Sequence, residues 1–335
     1  MTERKRNAVF PVLSAFSVLL IIYLHAFPVI DPDAKNLLVR ILMRLRLGVG
    51  ILPVYTFVFI SGYLFSLTTP PDGKFDFRGF VGKKAKRLLL PYVFLSSVAY
   101  PVKCVLSRLA MRPSGFSAAE YFKGLVFPYE NTIFFFWFLP TLFCAFLFAP
   151  VLNMALRRPA RTALIPLTTA LLAALYIFNP FGRDLIFNIK GIADFLFFFW
   201  AGMVFFSLGE LKVPFRGAVS LLCLAAVVIM SLDGLNSRAE TLAATVLFIF
   251  WIHHFAGFYV ARGWKAIRFM EGYSYPVFLL SWFPIVFVRI VMYQKLHAGL
   301  LPVIAAMYVC GLVAPLVVAK AVQRYLPRAG SLIGL

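Results

Sequence analysis

Residues 8–30 read Ala8-Val9-Phe10-Pro11-Val12-Leu13-Ser14-Ala15-Phe16-Ser17-Val18-Leu19-Leu20-Ile21-Ile22-Tyr23-Leu24-His25-Ala26-Phe27-Pro28-Val29-Ile30. The run holds no Asp, Glu, Lys or Arg, and its one histidine is His25. Roughly 20 apolar residues at about 1.5 Å each cross the hydrocarbon core of a bilayer, so this stretch predicts a spanning helix. Its apolar part is too long for a cleaved leader, and no small-residue cleavage site follows Phe27-Pro28. The expectation is an anchor that stays in the membrane.

Similar runs recur along the chain, near 47–68, 87–108, 132–155, 162–180, 190–208, 217–233, 239–260, 273–293 and 299–321. They predict an all-α, polytopic transmembrane bundle of about ten helices, with residues 1–335 forming a single integral membrane domain. Composition agrees: 62% of the 335 residues are hydrophobic, 17% aromatic and only 14% charged, and mean hydropathy is +0.88. Soluble domains average about 45–50% apolar and about 25% charged. A soluble enzyme, a disordered chain and a nucleic-acid-binding domain are therefore excluded. Connections are too short to carry an appended catalytic domain, which places any chemistry within the bundle or at its rims.

The formal net charge is +20, from 33 Lys and Arg against 13 Asp and Glu. These cations stand in short clusters between apolar runs, as topology and anionic headgroups require. With ten helices one face collects Arg4, Lys5 and Arg6, Lys74 through Arg87, Arg157, Arg158 and Arg161, Lys212 and Arg216, Arg262, Lys265 and Arg268, and Lys320, Arg324 and Arg328. Asp31, Asp33, Glu120, Glu130, Asp184, Asp194, Asp233 and Glu240 fall to the other half. The positive-inside rule then puts both termini in the cytoplasm. Cys104, Cys144, Cys223 and Cys310 lie in apolar stretches without metal-ligand spacing, so no metal is expected and they read as small hydrophobes.

Several polar groups interrupt the apolar runs. His25 is either a general base, the work imidazole does best near neutral pH, or a helix-end residue bonded at the headgroup level. Ser61-Gly62 within an aromatic helix reads as a close helix contact at Gly62, with Ser61 able to line a cavity. Lys83, Lys84, Lys86 and Arg87 precede Leu88-Leu89-Leu90-Pro91-Tyr92, where they either anchor topology or hold an anionic headgroup or nucleotide phosphates. Arg40, Arg44 and Arg46 stand on the other side against the charge rule, as ligands for an anionic acceptor or as snorkelling cations. His253 and His254 read as packing residues, and Arg289 needs a partner that the sequence does not identify.

The order of these elements is similar to that of the integral membrane acyltransferase 3 family. The resemblance rests on His25 ending helix one, on Phe59-Ile60-Ser61-Gly62-Tyr63-Leu64 in helix two, and on the basic run closing on Arg87-Leu88-Leu89-Leu90-Pro91-Tyr92. Phe136-Trp137-Phe138-Leu139-Pro140, Phe198 to Gly202, and Gly272 to Leu280 resemble the later motifs. Departures are Ser14 where many relatives carry arginine, Lys84 where arginine is common, and Leu280-Ser281-Trp282 where many end in histidine.

The resemblance implies a bacterial inner-membrane enzyme that moves an acyl group, commonly acetyl, from cytoplasmic acyl-CoA to a hydroxyl of a surface glycan or lipid-linked sugar. It implies His25 as catalytic residue and Lys84 and Arg87 as the donor site, beside which Lys83 and Lys86 are further candidates; Ser61 and Tyr63 match the family's Ser-Gly-Tyr motif and are the candidates for substrate binding. A histidine base needs an orienting carboxylate, for which Asp194 and Glu130 are the candidates, Asp194 having Lys190 as an alternative partner. Arg44 and Arg46 are the candidates for acceptor binding. The competing expectation is a non-enzymatic exporter of a polysaccharide or lipid-linked sugar.

Overall fold

The computed structural model describes residues 3–29, 35–69, 75–106, 115–156, 161–182, 186–209 and 214–335. Among the topology-setting charges, Asp31, Asp33, Lys74, Arg157, Arg158, Asp184 and Lys212 lie outside the described residues, as do the last residues of the runs expected at 8–30 and 87–108.

Every regular element among the described residues is helical: α1 (Glu3–His25), α2 (Leu37–Val49), α3 (Leu52–Thr68), α4 (Phe77–Val105), α5 (Ala118–Val126), α6 (Phe138–Met154), α7 (Arg161–Ile177), α8 (Ile189–Leu208), α9 (Arg216–Asp233), α10 (Arg238–Ala261), α11 (Ser274–Leu280), α12 (Trp282–Val288) and α13 (Leu300–Tyr325). Among the described residues, seven stretches are long and apolar enough to cross a membrane, and α11 with α12 and its π-helical extension Arg289–Lys295 makes an eighth, bent by 41°. The two remaining expected runs are the shorter apolar helices Arg161–Ile177 and Arg216–Leu232. The chain is thus an all-α, multi-pass membrane protein.

Two differences from expectation bear on the site. The third run, expected from residue 87, begins as α4 at Phe77, where the Asp76 side chain accepts from Gly79 N at 3.0 Å. An N-cap of this kind satisfies an otherwise orphaned amide. The second difference is α2, which occupies a stretch whose arginines argued for a connection. Asn36 caps it, accepting from Val39 N at 3.2 Å, and Gly50 ends it at φ +40°, with its N–H bonded to the Arg46 carbonyl. That conformation suits glycine, which has no Cβ to clash.

The chain divides into two compact units, Met1–Phe57 with Leu211–Tyr325, and Val58–Glu210 with Leu326–Leu335. In the first, α1 packs on α10 through Phe16 against Phe255 and Tyr259. Tyr273, at the start of α11, donates to Gln323 of α13, while Ile285 of α12 meets Gly311, so α12 and α13 run antiparallel. Phe27, Val39, Met43 and Ile304 close an apolar cluster where α1, α2 and α13 meet.

In the second unit, α3 and α8 approach through reciprocal glycines. A Cβ on Gly62 would stand 1.9 Å from the Phe199 carbonyl oxygen, and one on Gly202 2.0 Å from that of Phe59. Small residues permit such backbone approach, which supplies the packing that holds helices together in lipid. Around this contact Phe146 meets Phe199 edge-on at 5.0 Å, and Trp200 Nε1 donates to Thr169 Oγ1 at 2.8 Å.

Candidate active site

His25 is the last residue of α1, half-buried, where a helix leaves its final carbonyls without intrahelical donors. Arg46 fills one of these: its Nε donates to the Leu24 carbonyl oxygen at 2.7 Å, and its guanidinium lies 5.6 Å from the Phe27 ring centroid. The Tyr23 hydroxyl donates back to the Leu42 carbonyl at 2.5 Å. Two bonds in opposite directions therefore tie α2 to the end of α1. They hold His25 in place and put a positive charge that acts on its ring. Of the three arginines expected on this side, the structure brings Arg46 to His25, and it leaves Arg44 exposed.

The basic run lies inside α4 rather than before it, because Asp76 starts that helix ten residues early. Lys84 packs its ammonium over two rings, 3.8 Å from the Phe146 centroid and 5.5 Å from Phe80. Such contacts are worth about 0.5–2 kcal/mol, depending on desolvation. Arg87, three residues on, acts electrostatically on Lys84, as the shared helix face requires. Lys83, Lys86 and Arg87 are exposed. Two like charges on one face repel, and an anion between them would relieve that repulsion. Phosphate is one anion that such a pair can bind.

Ser61 and Tyr63 lie on α3 beside Gly62, within the second unit. Tyr63 is buried, its ring edge-on to Phe206 at 5.3 Å. Asp194 and Glu130 also belong to the second unit, whereas His25 belongs to the first. Buried Asp194 accepts from Asn179 Nδ2 at 2.7 Å, and the same amide donates to the Lys190 carbonyl at 2.9 Å. Glu130 pairs with Lys123 at 2.8 Å, both side chains being about half exposed. The Glu130 bond raises the Lys123 pKa. Both carboxylates thus have local partners.

Two features had no signal in the sequence. A cavity of about 420 Å³ lies between α4 and α5, lined by Tyr100, Lys103, Glu120, Tyr121, Lys123 and Glu130 among others. Buried Asn131 supports its wall, donating to Tyr92, Ser96 and the Gly124 carbonyl. In the first unit, Arg216 Nη2 lies 3.3 Å from Nδ1 of buried His253, a pair 37 residues apart in sequence. No group of three or more potential metal ligands occurs among the described residues.

The sequence profile of a family described as an acyltransferase domain matches residues 12–320. No curated protein and no solved structure gives a significant match.

Proposed function

Because the chain belongs to the acyltransferase 3 family, and so is a membrane acyltransferase, we propose that it carries an acyl group, commonly acetyl, from cytoplasmic acyl-CoA to a hydroxyl of a surface glycan or lipid-linked sugar. The setting is the bacterial inner membrane, with both termini in the cytoplasm. The family favours this enzyme over the export reading.

The carrying observation is the histidine that ends a spanning helix and is fixed there by Arg46. In the first unit His25 removes the proton of the acceptor hydroxyl. The freed oxygen attacks the thioester carbonyl carbon, the C–O bond forms, the C–S bond breaks, and His25 returns the proton to the departing CoA thiolate. General base catalysis of this kind contributes about 10²- to 10⁴-fold. Arg46 keeps positive charge beside the ring and favours the oxyanion that develops on the carbonyl. In the second unit Lys84 and Arg87, with Lys83 and Lys86 around them, take the phosphates of the donor. Ser61 and Tyr63 contribute to the substrate side of that unit.

Equilibrium binding of acetyl-CoA to the purified protein in neutral detergent tests the donor assignment. Saturable binding that weakens in Lys84→Ala and Arg87→Ala supports it. Absence of binding to folded wild-type protein contradicts it.

A further inference from the structure

We infer that Arg289 is an oxyanion-binding residue for the acyl acceptor, holding a carboxylate or phosphate of that substrate at the depth of His25. The inference deepens the acyltransferase reading and rests on it for the word acceptor alone.

Arg289 lies in the membrane-spanning segment that follows α12, and only 8% of its surface is exposed. Its Nε is buried and has no hydrogen-bond partner. No carboxylate pairs with it among the described residues. An ionised side chain in this position costs several kcal/mol unless it is paired, and charged residues kept inside membrane helices mark substrate or ion sites. The backbone is distorted at the same place. Residues Arg289–Lys295 form a π-helical turn, with Leu296 N bonding to the Val291 carbonyl at 3.0 Å. π-Turns inside α-helices concentrate at functional sites, because they re-aim side chains at the expense of regular bonding.

The depth follows from helix register. A Cβ built on Gly311 of α13 would meet Ile285 Cγ1 at 2.8 Å and Ile22 Cγ2 at 3.2 Å, so both isoleucines stand at one level of α13. From there α1 runs toward Phe27, which packs with Ile304, and α12 runs toward the same end of α13. His25 lies three residues past Ile22 and Arg289 four past Ile285, or about 4.5 and about 6 Å along parallel helices. The two residues therefore lie at similar depths, past the Gly311 level toward the same end of α13. Arg46, bonded to Leu24, adds a second cation at that level. A buried guanidinium fork without a protein partner fits an oxyanion with two acceptor oxygens. It does not fit a neutral sugar hydroxyl alone.

The test uses the full-length protein in neutral detergent with three probes of one chain length: octyl phosphate, octyl glucuronide and octyl glucoside. Thermal unfolding and probe titration are followed for wild type, Arg289→Met and Arg289→Lys. The expected results are stabilisation of wild type by at least one anionic probe and none by the glucoside; the anion that acts distinguishes phosphate from carboxylate. Arg289→Met should unfold at a higher temperature than wild type without ligand, since it removes a buried unpaired charge. It should bind the anionic probe at least tenfold more weakly, as loss of a charged hydrogen bond implies. Arg289→Lys, which keeps the charge and loses the fork, should fall between, and it carries the test if the methionine variant does not fold. Binding of both anions within twofold of wild type in these variants, or no anion binding to wild type, overturns the inference. Acetyl-CoA binding measured on the same samples separates the readings: donor binding without an anion effect removes Arg289 alone, and an Arg289-dependent anion effect without donor binding removes the proposed reaction and leaves the site.

Discussion

Arg46 Nε donates a 2.7 Å hydrogen bond to the carbonyl oxygen of Leu24, the residue before His25. A charged donor on a terminal helix carbonyl is worth about 1.5–3 kcal/mol, and here it fixes where the last turn of α1 points. The bond makes Arg46 a positioning residue for His25, beyond whatever its charge does for the reaction.

Arg46→Met should therefore lower kcat more than it raises the KM for the donor, with a fall of about 10- to 100-fold for a lost interaction of this strength. Arg46→Lys should recover part of the rate, since it restores charge without the fork. Steady-state kinetics with varied acyl-CoA checks this. A pure rise in donor KM would contradict the positioning role.

Lys84 and Arg87 share a face of α4, and Lys84 is seated on Phe146 at 3.8 Å. Arg87→Ala should raise the donor KM about tenfold or more, the cost of a lost charge-assisted phosphate contact. Phe146→Leu should produce a smaller rise by loosening Lys84. Replacing the donor with a thioester that lacks the nucleotide should erase the difference between these variants and wild type.

Gly62 and Gly202 lie against backbone carbonyls that no side-chain motion can clear, at 1.9 and 2.0 Å for an added Cβ. Either alanine substitution should destabilise the second unit by about 1–3 kcal/mol, the usual cost of overpacking. Gly311→Ala should cost less, because its nearest neighbours are side-chain carbons of Ile285 and Ile22 at 2.8–3.2 Å and not backbone. Unfolding midpoints in detergent order the three.

The ten apolar runs were legible because hydropathy alone decides which segments can enter lipid, and each coincides with a helix. What was not legible is where polar residues join those helices. In α2, Arg40, Arg44 and Arg46 broke the hydropathy signal, although Val39, Met43 and Gly48 bury one face. In α4, the cluster around Lys84 reads as the entrance just before the helix; the long side chains sit within it by lying over rings or reaching out to solvent. The bend between α11 and α12 has a local cause that spacing did not reveal. Pro284 lacks the N–H that would bond the Leu280 carbonyl, so the helix breaks there. His25 is visible as the one histidine of its run, but its electrostatic link to Arg46 joins positions 21 residues apart, which spacing does not reveal. Charge and expected side alone point to Asp194 and Glu130, and their observed partners Asn179 and Lys123 come from packing that one sequence does not encode visibly.

The most direct measurement is release of CoA from acetyl-CoA by the purified protein in detergent, wild type beside His25→Ala, with acetyl-CoA binding followed in parallel. Wild type should turn over slowly and His25→Ala should lose that turnover by at least about 10²-fold, while binding stays intact. Turnover unchanged in a folded His25→Ala protein would contradict the catalytic assignment of His25.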